Sequence, residues 1–231
     1  MAAPAPPVDV RCVAVIGAGP LGWQLAALTA CAGFHVVLED VLPSNLRRAE
    51  AGIRDHLMEA AKAAKGNRPN VAAAADLHAG VDIDAMLERI TFVSTVEDAV
   101  RQADLALDCV PDELESKLEI FSMLDRMAPP RTILCTPTNT VSIADIASCT
   151  YRADRCLAVR PVLAENIEGR DAAGKYALAT TEQVCLVYSH WTLPSVLEAV
   201  TAFWEALGKT VTVEYDGSFA PSDNVISAEN P

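Results

Sequence analysis

The residues that carry most chemical information are Gly17-Ala18-Gly19-Pro20-Leu21-Gly22. They follow a short β-branched run, Arg11 to Ile16, and open a helical stretch that Gly33 ends. In that context Gly17 permits a sharp strand-to-helix turn and Gly19 leaves no side chain between backbone and ligand. Gly22 lets the helix pack closely. The unpaired N–H groups of the helix start, reinforced by the helix dipole, then suit a diphosphate. Asp40 follows the next β-run, His35 to Glu39, about twenty residues after the glycines, the usual spacing for an acid that accepts ribose hydroxyls. A carboxylate there also repels a 2′-phosphate. Diphosphate and sugar together specify an adenine dinucleotide, NAD in preference to NADP. FAD is the other dinucleotide that such a turn serves.

A glycine turn of this kind needs a sheet beneath it, and the chain supplies the pattern. β-Branched runs alternate with helical stretches: a helix through Asn45 to Lys65, a strand at Ile90 to Ser94, a helix at Val96 to Gln102. A strand at Asp104 to Val110 is almost wholly apolar, as a strand buried on both faces should be. The helix Asp112 to Met127 stops at Pro129-Pro130. Strands at Arg131 to Cys135 and Arg155 to Arg160 flank a short helix, Ser142 to Cys149, which Ser142 or Thr140 caps. A strand at Gln183 to Tyr188, a helix at Pro194 to Leu207 and a last strand at Lys209 to Tyr215 complete the series. The fold class is therefore α/β: a Rossmann, doubly wound, mostly parallel sheet with helices on both faces. The expected organisation is a tail over 1–10 and one dinucleotide-binding domain over 11–215. Residues 66–80 form an inserted loop or short helix, and 216–231 a second tail. The Pro161 to Thr181 segment fits no regular element.

Of 231 residues, 51% are hydrophobic, enough for one substantial core. A net charge of −13 excludes nucleic acid and anionic membrane as partners. No apolar run is long enough to span a bilayer. Seven cysteines, without a CxxC pair, read as buried thiols in a reducing compartment, which implies the cytoplasm and no metal centre.

Beyond the glycines, three stretches resemble the NAD-binding domain of the 3-hydroxyacyl-CoA dehydrogenases: Val13 to Asp40, Ser94 to Pro130, and TPTNTVSIADIA at Thr136 to Ala147. VLEAVTAFWEALGKTVTV, Val196 to Val213, is similar to that domain's last helix and strand. The resemblance implies NAD, a place in fatty acid metabolism and a small-molecule substrate such as an acyl thioester. It also implies further cofactor contacts at Val110, Pro111 and Asp112, and at Lys117 one turn later. The family's reaction residues do not carry over. Asn139 stands where the family has a serine that bonds the substrate oxygen. Arg160 stands where it has the histidine that removes the hydroxyl proton, and Cys185 where a glutamate orients that histidine.

Arginine keeps its charge at any working pH and cannot act as a general base. It can bind a carboxylate, a phosphate or a developing oxyanion, and Asn139 can donate to a carbonyl oxygen. Among the four histidines, His190, after the strand Gln183 to Tyr188, is the remaining candidate for acid–base work. Nothing after Ala220 is long enough to form the helical domain that closes the family's substrate cleft and makes its dimer. Substrate contacts are therefore expected from Pro161 to Thr181 or from a second chain, and a homodimer fits the apolar surface left uncovered. Two functions stay open: an NAD-dependent oxidoreductase with altered acid–base machinery, and a non-catalytic NAD-binding module completed by a partner domain.

Overall fold

The computed structural model describes residues 9–65, 83–162 and 178–217. The expected insertion over 66–80, most of the Pro161 to Thr181 segment and most of both tails lie outside the described residues. In chain order the elements are β1 (Cys12–Ile16), α1 (Pro20–Cys31), β2 (His35–Glu39), α2 (Pro43–Lys65), α3 (Ile83–Leu87), β3 (Ile90–Val93), α4 (Val96–Val100) and β4 (Leu105–Asp108). Then come α5 (Leu114–Met127), β5 (Ile133–Pro137), α6 (Ile143–Ala147), a 3-10 turn (Ala153–Arg155) and β6 (Cys156–Pro161). β7 (Gln183–Tyr188), α7 (Pro194–Ala206) and β8 (Thr210–Tyr215) complete the series.

The eight strands form one sheet in the order β3-β2-β1-β4-β5-β6-β7-β8. From β3 to β6 all pairs are parallel; β7 runs antiparallel to β6, and β8 parallel to β7. The chain winds outward from β1 to β3, then returns to β4 on the other side of β1. That reversal opens a crevice at the strands' carboxyl ends, where open α/β sheets bind ligands.

Side-chain alternation assigns each face its layer. Val13, Val15, Leu105 and Leu107 bury against Leu21 and Leu25 of α1 and Phe203 and Trp204 of α7. Ala14, Ala106, Leu134 and Ala158 face Val96, Phe121, Leu124 and Ile146 of α4, α5 and α6. Burial on both sides is why these strands read as nearly continuous apolar runs, and the doubly wound expectation holds.

Four local differences have physical causes. β4 stops at Asp108, before the expected Val110, because the Asp108 carboxylate turns back to accept the Val110 N–H at 2.8 Å. Ser142 caps α6, its Oγ accepting from the Asp145 N–H at 3.3 Å; Thr140 does not share the role. The short α3 had no strong periodic signal. The expected tail at Asp216 begins later, because Asp216 is only 7% exposed. Its carboxylate accepts from Ser142 Oγ (2.8 Å) and the Ala144 N–H (3.2 Å), and its own N–H donates to the Tyr188 carbonyl.

Candidate active site

At the glycine turn each glycine has a distinct structural reason. Gly17 has φ of +99°, a conformation that side-chain-bearing residues avoid, and its N–H donates to the Glu39 carbonyl at 2.8 Å. A Cβ on Gly22 would sit 1.8 Å from the Gly17 carbonyl oxygen, so only glycine lets α1 start this close to the turn. A Cβ on Gly19 would meet nothing within 4 Å: the backbone there lies open to a ligand. Pro20 sets the first helical position, and buried Leu21 anchors the turn to the core. Gly19 supplies no side-chain cap and the first turn of α1 holds no acid, so the positive helix end is left for an anion.

Asp40 is tied to this turn. Its carboxylate accepts the Ala18 N–H (3.0 Å), the Leu42 N–H (2.9 Å) and the Asn45 side-chain amide (3.1 Å to each oxygen). These donors fix its orientation beside the glycines. Glu39 next to it is buried, and its Oε1 has no hydrogen-bond partner among the described residues. Burial first, then the Asp40 charge, push its carboxyl up to about 7, with the Gly17 N–H pulling the other way.

The second lip is formed by the tips of β4 and β5. Lys117, fully buried on α5, donates from Nζ to Asp108 (3.0 Å) and to Thr136 Oγ1 (2.8 Å), and Thr136 donates to Asp108 at 2.9 Å. Asp112 lies 3.9 Å from the same ammonium and accepts the Asn139 N–H at 3.1 Å. Lys117 therefore faces protein on all sides. Its side chain has no exposed surface, so the expected direct contact of Lys117 with a cofactor has no room here; Asp112, whose side chain is 21% exposed, is the member of the pair that opens to solvent. Val110 and exposed Pro111 complete this lip.

Further along the same end, the Thr138 N–H donates to the Val159 carbonyl at 3.2 Å, so exposed Asn139 and half-buried Arg160 each follow one end of the same backbone bond. Arg160 is in register with Cys185 on β7. The Cys185 thiol, pushed up by burial, lies 3.8 Å from Glu214 of β8, and Arg160 Nη1 lies 4.0 Å from the same carboxylate. His190 does not join them. Because β7 is antiparallel, its end lies beside the beginning of β6. Thr192 Oγ1 bonds the Cys156 carbonyl there and the Leu193 N–H bonds that of Asp154. Exposed His190, its ring tilted against that of Trp191, stands at the sheet end opposite the glycine turn.

Residues 12–163 match the family described as the 3-hydroxyacyl-CoA dehydrogenase, NAD binding domain. The chain belongs to this family. A probable 3-hydroxybutyryl-CoA dehydrogenase from Bacillus subtilis (strain 168) is 28% identical over 229 residues, 90% of this chain and 75% of that one. A mitochondrial hydroxyacyl-coenzyme A dehydrogenase from Sus scrofa is 31% identical over 67% of this chain and 47% of its own length. The crystal structure of a (S)-3-hydroxybutyryl-CoA dehydrogenase from Ralstonia eutropha shares the fold, with a TM-score of 0.73 at 21% identity over 90% of this chain and 64% of that one. The chain thus spans less than half the length of some relatives and three quarters of another.

Within this 3-hydroxyacyl-CoA dehydrogenase NAD binding domain, Arg160 and Cys185, both singled out by the resemblance, are cross-strand partners. Sequence reasoning missed Asp108, Thr136, Glu39 and Glu214. A terminal acid on an otherwise apolar strand, as in Leu105-Ala106-Leu107-Asp108, is a signal that could have found the first. Glu214 carried none, because β8 is a mostly exposed edge strand where an acid is ordinary.

Proposed function

We propose that this NAD-binding 3-hydroxyacyl-CoA dehydrogenase-type domain acts as an oxidoreductase on a hydroxyacyl or 3-hydroxy acid substrate. The observation that carries the reading is the open backbone at Gly19 between a left-handed Gly17 and a sterically required Gly22, with Asp40 bonded to the Ala18 N–H. The turn's N–H groups hold a diphosphate, and Asp40 accepts from the adenosine ribose. Asp112 faces the cleft at the second lip, oriented by Lys117 and the Asn139 N–H. When bound, the nicotinamide supplies a two-electron donor or acceptor. The Asn139 side-chain amide donates to a carbonyl oxygen, and Arg160 offsets negative charge beside it. All seven cysteines are free thiols, which fits a reducing compartment such as the cytoplasm. Exposed Val213 and Tyr215 on edge strand β8 fit self-association into a homodimer.

A second reading, a non-catalytic NAD-binding module, is favoured by one observation. Among the described residues no histidine stands beside Asn139: its N–H donates to Asp112, Arg160 is a fixed cation, and Cys185 across the strand pair is a thiol whose pKa burial raises. Calorimetric titration with NAD and NADP, before and after Asp40→Ala, tests the cofactor reading. The expected result is NAD binding, with the preference over NADP falling about tenfold in the variant, equivalent to about 1.4 kcal/mol. An unchanged preference would count against the ribose role of Asp40, and no binding at all would end the proposal. Turnover assays across hydroxyacyl thioesters and free hydroxy acids separate the two readings: steady turnover excludes the module, and none excludes the enzyme.

A further inference from the structure

We propose that Arg160 is a recognition site for the carboxylate of a free hydroxy or oxo acid, and that Glu214 is a built-in carboxylate which this ligand displaces. The inference deepens the reading above, because it rests on substrate lying at the carboxyl ends of the strands.

The guanidinium is under-satisfied. Its Nε is buried without a hydrogen-bond partner, and its one ion pair among the described residues is the Nη1–Glu214 contact at 4.0 Å. That distance is beyond hydrogen bonding, so the pair holds by charge alone. The residue directly across the strand pair, Cys185, is a neutral thiol held neutral by burial. The compensating carboxylate is therefore one strand further out, on β8, and its side chain is 59% exposed. Exposed ion pairs of this kind are weak and easily exchanged.

The Arg160 side chain is itself 30% exposed, so a ligand can reach it. It stands one residue past the Thr138–Val159 hydrogen bond, as Asn139 does. A planar carboxylate arriving at hydrogen-bond distance gains two parallel charge-assisted bonds, which the looser Glu214 does not make. The neutral carbonyl of a thioester offers no such exchange, because displacing Glu214 would leave the arginine without a counter-charge.

The test compares 3-hydroxybutyrate with its methyl ester, which differs by the carboxylate charge, in calorimetric titrations of the full chain with and without NAD. The acid is expected to bind at least tenfold more tightly than the ester. Arg160→Met should remove that difference and Arg160→Lys should keep part of it, because lysine retains the charge but loses the fork. Glu214→Gln, at an exposed position, should strengthen acid binding several-fold while leaving the ester where it was. Equal affinity for acid and ester, no binding of either, or weaker acid binding in Glu214→Gln would overturn the proposal. NAD titration of the unmodified chain reads the cofactor function separately, so failure of one is distinguishable from failure of the other.

Discussion

The glycine-turn lip and the Arg160 lip of the crevice are assembled from different materials. The first is made of backbone: a left-handed Gly17, an open Gly19 and a Gly22 that no side chain can replace, all within six consecutive residues. The second is made of side chains that converge from distant segments: Asp108, Asp112, Lys117, Thr136, Asn139, Arg160, Cys185 and Glu214. A ligand-binding surface of main chain tolerates few substitutions and keeps one job. A surface of side chains can exchange one residue for another without disturbing the sheet, and so can change its chemistry while the cofactor half stays the same.

Three substitutions sharpen that contrast. Lys117→Met should have the largest effect, because it leaves the Asp108 carboxyl fully buried and without its cation. Breaking a buried pair in this way costs about 3–5 kcal/mol, readable as a lower urea midpoint, and adding Asp108→Asn should recover part of the loss. Gly22→Ala comes next. Its methyl must push the Gly17 carbonyl aside from 1.8 Å, at a cost of about 3 kcal/mol, and should weaken NAD binding about a hundredfold by calorimetry. Full NAD affinity in that variant would deny that backbone geometry carries this lip.

Glu39→Gln should act least, and only above mildly acidic pH. The folded carboxyl titrates at about 7 against 4.5 when unfolded, because burial and Asp40 disfavour its charge. Below pH 4.5 it is neutral in both states and costs nothing. As pH rises to 7 the unfolded chain ionises first, so folding takes up a proton and stability falls, by about 1–2 kcal/mol in all because solvent screening weakens the effect. The glutamine variant should lack this loss, so its advantage over the parent in thermal melts should grow from pH 4.5 to 7 and then level off. An advantage independent of pH would show that Glu39 is neutralised by some other means.

The same contrast explains what could be read in advance. Strand and helix order, the turn and Asp40 were legible because each depends on local pattern: apolar runs, glycine spacing, an acid after a strand. Arg160 and Cys185 could be paired through the family likeness, and the register agrees. His190 was misplaced because its position depends on the direction of β7, which no local pattern encodes; an antiparallel strand carries the same apolar alternation as a parallel one. The burial of Lys117 was not legible because its partners Asp108 and Thr136 come from separate strands. Asp216, in a Gly-containing stretch, resembled the start of a tail although it caps a helix.

That last residue has a mechanical consequence. By gripping Ser142 and the Ala144 N–H, Asp216 fastens the finish of β8 to the helix directly downstream of Asn139 and Thr140. A tug on the polypeptide at Gly217 therefore reaches the Asn139 loop through a single carboxylate, with no need to deform the sheet between them. Events at the carboxyl-terminal side of the fold can in this way adjust the posture of Asn139.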